Sequence, residues 1–276
     1  MTWGERQQGY LRITCDPMRF PRLFSKTVYT RYERDLFKEV ITGPLPRHVA
    51  MIMDGNRRYA TEVLDASFNV GHKKGEEKIE EMLDWCLGLE IPYVTVYAFS
   101  TENFNRGPEE IDFLMDLSEL ALYRMADHPR IHDKKVRIRI LGDIDMVPEK
   151  VRKAVEYAES KTSAYSDFNF NVAMAYGSRQ EILSAVKEIA RKVRSDEIDI
   201  EDISEETISD HLYTSELPDP DLILRTSGEV RISNFLLWQL AYSELYFADV
   251  YWPGFRHIDF LRAIRSYQQR VRRYGK

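Results

Sequence analysis

A chain of 276 residues that is 43% hydrophobic and 30% charged has the make-up of a soluble globular protein with one well-buried core. Its formal net charge of −6 argues against nucleic acid as a partner, which calls for a basic footprint. Cys15 and Cys86 form no spacing pattern, which excludes a disulfide framework and a zinc site and fits a reducing, cytoplasmic setting. The N-terminus is charged and lacks an apolar h-region, so no secretory signal is expected. No run is long and apolar enough to span a bilayer, so any membrane contact is expected to be peripheral.

In chain order, residues 1–28 have weak periodicity and read as an extension. Tyr29 to Ile41 reads as a short amphipathic helix, with Tyr32, Leu36, Phe37 and Val40 on one side. Gly43-Pro44-Leu45-Pro46 ends it. Val49 to Met53 is a short apolar run stopped by Asp54-Gly55-Asn56, the mark of a buried parallel strand. Thr61 to Val70 reads as a loop or frayed helix start, and a helix is expected from about Gly71 to Leu89. A second strand spans Tyr93 to Phe99, and polar Ser100 to Gly107 follows its carboxyl end. Pro108 opens a helix that is apolar almost all round, fit for the core or the wall of an apolar cavity.

Lys135 to Leu141 alternates basic and aliphatic residues, as an edge strand does. Pro148 opens another helix, Phe168 to Tyr176 is strand-like, and Gly177 begins a helix to about Val193. Ser195 to Glu206 is an acidic surface segment. Asp221 to Arg225 is a further strand, Phe235 to Tyr242 reads as helical, Leu245 to Tyr251 as a strand and His257 to Arg273 as a basic terminal helix. Alternating strands and helices predict an α/β fold with a mainly parallel central sheet flanked by helices. No linker divides the chain, so one domain is expected.

Three polar clusters follow predicted strands: Asp54 to Arg58, Ser100 to Arg106 and Arg225 to Ser233. Parallel strands bring their carboxyl ends to one rim, where ligands of such sheets bind. The clusters contribute Arg58, Arg106, Arg225 and Arg231, the hydroxyls of Ser100, Ser227 and Ser233, and Asp54, a carboxylate suited to a hard cation. Gly55 and Asn56 tolerate backbone angles that offer N–H groups to an anion, and Arg57 adds charge. This set suits pyrophosphate chemistry, although D-G-N-R-R alone fits an Asx turn with a solvated basic loop equally well. His72 at a helix start contacts an anion or caps packing. His128 and His132 have helical spacing, but Pro129 interrupts it and they read as surface residues. No Walker A loop, G-x-G-x-x-G or D-D-x-x-D sequence is present.

The segments H-V-A-M-I-M-D-G-N-R-R-Y-A (48–60), Y-A-F-S-T-E-N-F-N-R (97–106), R-T-S-G-E-V-R-I-S-N-F-L-L-W-Q (225–239) and A-Y-S-E-L-Y-F (241–247) closely resemble the cis-prenyltransferases, the undecaprenyl and dehydrodolichyl diphosphate synthase family. The forms N-R-R-Y-A and R-T-S-G-E-V-R resemble its archaeal and eukaryotic branch. The resemblance implies the cis-prenyltransferase fold, not the all-α fold of trans-type enzymes. The expected division is an N-terminal extension at 1–44 and a catalytic domain at 45–276.

The resemblance also implies a magnesium-dependent homodimer that condenses isopentenyl diphosphate with an allylic diphosphate of farnesyl or geranylgeranyl type. The product would be a long polyprenyl diphosphate, precursor of a lipid glycosyl carrier. By motif position Asp54 would be catalytic and would hold magnesium with Glu244. Gly55, Asn56, Arg57 and Arg58 would cradle the allylic diphosphate, with Tyr59 and His72 nearby. Ser100, Thr101, Glu102, Asn103, Phe104 and Arg106 would line the reacting centre, Asn103 in an orienting role because a neutral amide is a poor base. Arg225, Arg231, Ile232 and Ser233 would bind isopentenyl diphosphate. Arg273 and Gly275 match the family's terminal R-x-G, which would complete the partner subunit's site. Phe68 stands where the family often carries an arginine against the allylic diphosphate, Arg57 where bacterial members have glycine, and Val230 where they have histidine. Two other readings share this fold: an enzyme with another prenyl acceptor, and a partner subunit of a two-component synthase.

Overall fold

The computed structural model describes residues 22–270. The expectations for residues 1–21 and for Arg273 and Gly275 lie outside the described residues. The chain runs α1 (Arg22–Thr42), β1 (His48–Ile52), a short α2 (Asn56–Arg58), α3 (Phe68–Gly88), β2 (Tyr93–Ser100), α4 (Pro108–Asp127), a short α5 (Pro129–Asp133) and β3 (Val136–Leu141). It continues through α6 (Glu149–Thr162), β4 (Phe168–Tyr176), α7 (Ser178–Arg194), a short α8 (Glu205–Ser209), β5 (Leu222–Arg225), β6 (Glu244–Phe247) and α9 (His257–Gln269).

The strands form one six-stranded sheet in the order β3-β4-β2-β1-β5-β6, and every pairing is parallel. β1 lies inside the sheet, between β2 and β5. Its five residues are all buried, because successive side chains enter cores on opposite faces. Val49 and Met51 join the larger core, and Ala50 and Ile52 the smaller one. Two-sided burial explains why this strand reads as an unbroken apolar run. β3 is an edge strand, as its alternating pattern predicts. Ile52, Arg225 and Ser100 end β1, β5 and β2 at the same rim.

α1 belongs to the folded body. Leu36 and Val40 are buried in the larger core. Glu33 Oε1 meets His257 Nδ1 at 2.7 Å, and Gln268 Nε2 donates to the Val40 carbonyl at 2.7 Å, which ties α1 to α9.

Several segments differ from expectation, and α1 starts at Arg22, seven residues before the expected Tyr29. Tyr59–Val63 is a π-helical turn that extends α2, and α3 starts three residues early at Phe68. Phe235 to Tyr242 is not a helix. Ser233, Asn234 and Leu236 adopt left-handed φ of 47°, 61° and 46°, which breaks helical continuity, and only Gln239–Tyr242 forms a 3-10 turn. β6 ends at Phe247, and α9 ends at Gln269, where Arg270 turns to bond Glu244 and the Leu245 carbonyl.

Candidate active site

A cavity of about 930 Å³ opens at the carboxyl rim and continues between α3 and α4 over the sheet. Asp54, Arg57, Arg58, His72, Arg106 and Arg225 line its mouth. Apolar side chains such as Ile79, Leu117, Met125 and Phe170 line its body.

Asp54 is fixed from both sides of its own backbone. Its N–H donates to Thr226 Oγ1 at 2.9 Å, and that hydroxyl donates to the Asp54 carbonyl at 2.7 Å. Gly55 follows with φ 103° and Tyr251 and Ser227 close to where a Cβ would stand, so a side chain there would be strained and crowded. Tyr59 N–H returns to the Gly55 carbonyl at 2.9 Å, which closes the first turn and leaves the N–H groups of residues 56–58 without helical acceptors. α3 packs closely on this turn: a Cβ on Gly71 would lie 2.1 Å from the Asn56 carbonyl oxygen, and one on Gly75 2.3 Å from Asn56 Oδ1.

The cations are organised in two groups. In the first, Arg225 Nη2 donates to Asp54 Oδ2 at 2.7 Å, while its Nη1 donates to the Arg231 carbonyl and Ser233 Oγ at 2.6 and 2.7 Å. Arg58 donates to Ser227 Oγ at 2.8 Å and to Glu229 Oε1 at 3.1 Å, and Arg231 takes the other Glu229 oxygen at 2.6 Å. Burial alone would raise the Asp54 carboxyl, but the hydrogen bond and charge of Arg225, with Ser227 and Arg58, outweigh it and hold it below the ordinary range.

In the second group, buried Glu110 accepts from His72 Nε2 at 3.0 Å and Arg106 Nη1 at 2.9 Å, with Arg57 Nη1 at 3.7 Å from its other oxygen. Burial lowers the His72 imidazole despite Glu110, so the ring is neutral and donates Nε2–H. The Phe68 ring meets His72 edge-on at 6.2 Å.

Asn103 Oδ1 accepts the Ser100 N–H at 3.0 Å, so the amide lining the cavity has donors left to offer. Ser100, Glu102 and Ser233 also reach the cavity. Thr101, Phe104, Tyr59, Arg231 and Ile232 do not line it: Phe104 packs on Phe99 at 4.8 Å, Tyr59 lies against Gly254, and Ile232 joins the smaller core.

Within one chain Asp54 and Glu244, expected on one metal, do not meet. Glu244 is level with Leu222 at the amino end of β6, whereas Asp54 binds Arg225 at the other end of β5. Three residues of strand, roughly 10 Å, separate those levels, and Glu244 is taken by Arg270 at 2.6 Å. Among the described residues no three His, Cys, Asp or Glu side chains converge as a metal site. His128 and His132 bind protein groups, Arg130 N–H and Tyr165 Oη.

Sequence reasoning passed over Glu110, Glu229 and Asn234. Glu110 lies in the first turn of α4, in a segment read for its apolar side chains. Asn234 Nδ2 donates to Glu102 Oε1 at 2.9 Å and positions it.

The family model described as "Putative undecaprenyl diphosphate synthase" matches residues 52–275. The chain belongs to this cis-prenyltransferase family. A tritrans,polycis-undecaprenyl-diphosphate synthase (geranylgeranyl-diphosphate specific) of Methanocaldococcus jannaschii is 53% identical over 96% of this chain and 94% of its own length. A protein of the same description from Thermoplasma volcanium is 52% identical over 89% and 95%. The crystal structure of lavandulyl diphosphate synthase from Lavandula x intermedia, in complex with dimethylallyl diphosphate, superposes with a TM-score of 0.80 at 34% identity, over 86% of this chain and all of that one. The protein is therefore a prenyl-transferring enzyme with the cis-prenyltransferase fold. The cis-prenyltransferase cavity joins a cationic mouth to an apolar body, as transfer of prenyl diphosphates requires. No helix among its described residues is long and apolar enough to cross a membrane.

Proposed function

We propose that this cis-prenyltransferase extends geranylgeranyl diphosphate by repeated cis additions of isopentenyl diphosphate, with magnesium, to a long polyprenyl diphosphate that serves as precursor of a lipid glycosyl carrier. The observation that carries the reading is one cavity that combines an ionised carboxylate and arginines at its mouth with apolar walls below. The names of the two archaeal relatives support the starter and the product class.

Ionisation of an allylic diphosphate needs its departing charge neutralised by groups already in place. Arg58 and the free N–H groups of residues 56–58 would take the allylic diphosphate, with Arg57, His72 and Arg106 beside it. Arg225, Arg231 and Ser233 would take isopentenyl diphosphate. Asp54 fits magnesium, which binds through one or two carboxylates with substrate phosphates and waters completing its shell. Bound there, magnesium would add charge neutralisation for the leaving diphosphate. The donors of Asn103 would orient a substrate oxygen, and the isopentenyl diphosphate itself would accept the released proton.

The active form would be a homodimer. Glu244 reaches a metal near Asp54 only if a second copy supplies it, and Arg273 and Gly275 would come from that copy as well. The apolar product would bring the enzyme to a membrane surface peripherally.

The test supplies purified protein with labelled isopentenyl diphosphate and, separately, geranylgeranyl, farnesyl or dimethylallyl diphosphate, with magnesium or with chelator, and resolves the products by thin-layer chromatography. Long products from geranylgeranyl diphosphate that vanish with chelator are expected. Absence of elongation from every starter would sink the proposal, and a single short condensation product would favour the other-acceptor reading. Light scattering checks the dimer.

A further inference from the structure

Below its mouth the cavity has one charged lining residue, Glu76. α3 and α4 both leave the carboxyl rim and run toward the amino end of the sheet, with the cavity between them. A cavity between two helices removes the apolar interdigitation that would otherwise fix their spacing. Here Gly75 adds no side chain to the facing walls and Ser118 and Ala121 only short ones, beside the larger Ile79, Leu117 and Met125. Polar contacts join the two helices across the gap. Arg124 of α4 donates from Nη2 to Glu76 Oε1, and from Nε to Glu80 Oε1 at 2.9 Å. Arg130 continues the contact, with its Nη1 3.0 Å from the Glu80 carbonyl and its Nε 2.8 Å from Asp84. Residues 76, 80 and 84 recur every four positions and so share one stripe of α3.

We propose that the Glu76–Arg124 pair is a clasp that fixes the separation of the two cavity walls and thereby limits the length of the prenyl chain the enzyme makes. This rests on the elongation reading above. A fully exposed pair would hold little; here Arg124 is 50% exposed, but the Glu76 side chain is only 10% exposed. Breaking a pair at such a site strands a carboxylate that burial already pushes up against the pull of Arg124. A chain tip that reaches this level meets a fixed polar bar instead of further apolar wall. Released walls can part and admit more chain.

The experiment gives geranylgeranyl diphosphate and labelled isopentenyl diphosphate to the purified parent, Glu76→Gln, Arg124→Gln and the double variant, and reads product length by reversed-phase chromatography after dephosphorylation. Both single variants should shift the distribution upward by at least one isoprene unit. The double variant should shift no further than either single one, because each change opens the same clasp. Loss of folded protein lowers yield at every length and leaves the distribution alone, so length separates a specificity role from a structural one. Unchanged or shorter products from both single variants, or shifts that add in the double variant, overturn the clasp while elongation by the parent stands. A parent that adds no isopentenyl units overturns both.

Discussion

Strand β1 is closed at one end by His48 and followed at the other by Asp54, and the two ends treat a polar side chain in opposite ways. His48 is 1% exposed and fully satisfied as a neutral ring: its Nδ1–H meets the Pro218 carbonyl at 2.6 Å and its Nε2 meets Thr95 Oγ1 at 2.8 Å. Asn171 Nδ2 extends this layer with a bond to Thr95 Oγ1 at 3.1 Å. Burial pushes the imidazole down to about 4, so it carries no charge at neutral pH. The Asp54 side chain is 30% exposed and held ionised by an arginine whose own side chain is 4% exposed. A polar group that only holds the sheet together is discharged and closed off. The group we assign to the chemistry keeps its charge, and beside the buried Arg225 its second cationic neighbour, Arg58, is 37% exposed and within reach of a phosphate.

The sharpest break of this contrast is Asp54→Ala. Turnover with magnesium should fall by about a hundredfold or more, the scale of losing one preorganised electrostatic group. The fold should persist, because Arg225 keeps the Arg231 carbonyl and Ser233 as partners. Circular dichroism and a product assay check both statements, and near-parent turnover in folded protein would remove Asp54 from the chemistry.

Glu110→Gln is next. Its carboxylate gathers His72, Arg106 and Arg57. Charged hydrogen bonds are worth about 1.5–3 kcal/mol, so kcat/KM for the allylic substrate should drop by about ten- to a hundredfold. A rise instead would mean that Glu110 competes with the diphosphate for these cations and does not position them.

Much of this arrangement was legible in the sequence because it is local. Val49 to Met53 followed by Asp54-Gly55-Asn56 marks a two-sided buried strand and the polar turn at its carboxyl end within a few residues. The shared rim followed from parallel pairing, which brings Ile52 and Arg225 into register. What stayed hidden depends on direction and distance in three dimensions. Glu244 follows a motif that matches the family, yet strand polarity sends it away from Asp54 within one chain. Glu110 lies in an apolar helix, and its value comes from three cations on other segments and turns. The loop at 233–236 looks helical by composition, but left-handed residues stabilised by contacts such as Asn234 Oδ1 with the Arg179 N–H override that preference.

A smaller effect is expected of Arg231→Ala. Its guanidinium is 60% exposed and bound to Glu229, so solvent screens its contribution. The KM for isopentenyl diphosphate should rise by about fivefold, with less change for the allylic partner. Steady-state kinetics with each substrate varied in turn decides this, and equal weakening of both would place the residue outside the isopentenyl subsite.

The smallest effect on turnover belongs to His48, at the other end of the same strand. His48→Gln should leave product formation near the parent rate at neutral pH and act on stability alone. The sign follows from the ring's depressed value in the fold. Unfolded, the imidazole binds a proton near 6.5; folded, it resists until about 4. Neutral His48 therefore costs the fold nothing above 6.5. As pH falls from 6.5 toward 4 the unfolded chain gains a proton that the folded chain refuses, and stability declines. Over the whole window the loss is about 3 kcal/mol, levelling off below the folded value. Urea unfolding of parent and variant at steps between pH 7.5 and pH 4, a range set by those two values, isolates the effect, because all other titrating groups are common to both. The parent's advantage should shrink steadily on acidification. Stability curves that stay parallel across the range would show that His48 takes its proton within the fold, and that the two ends of β1 are not divided by charge.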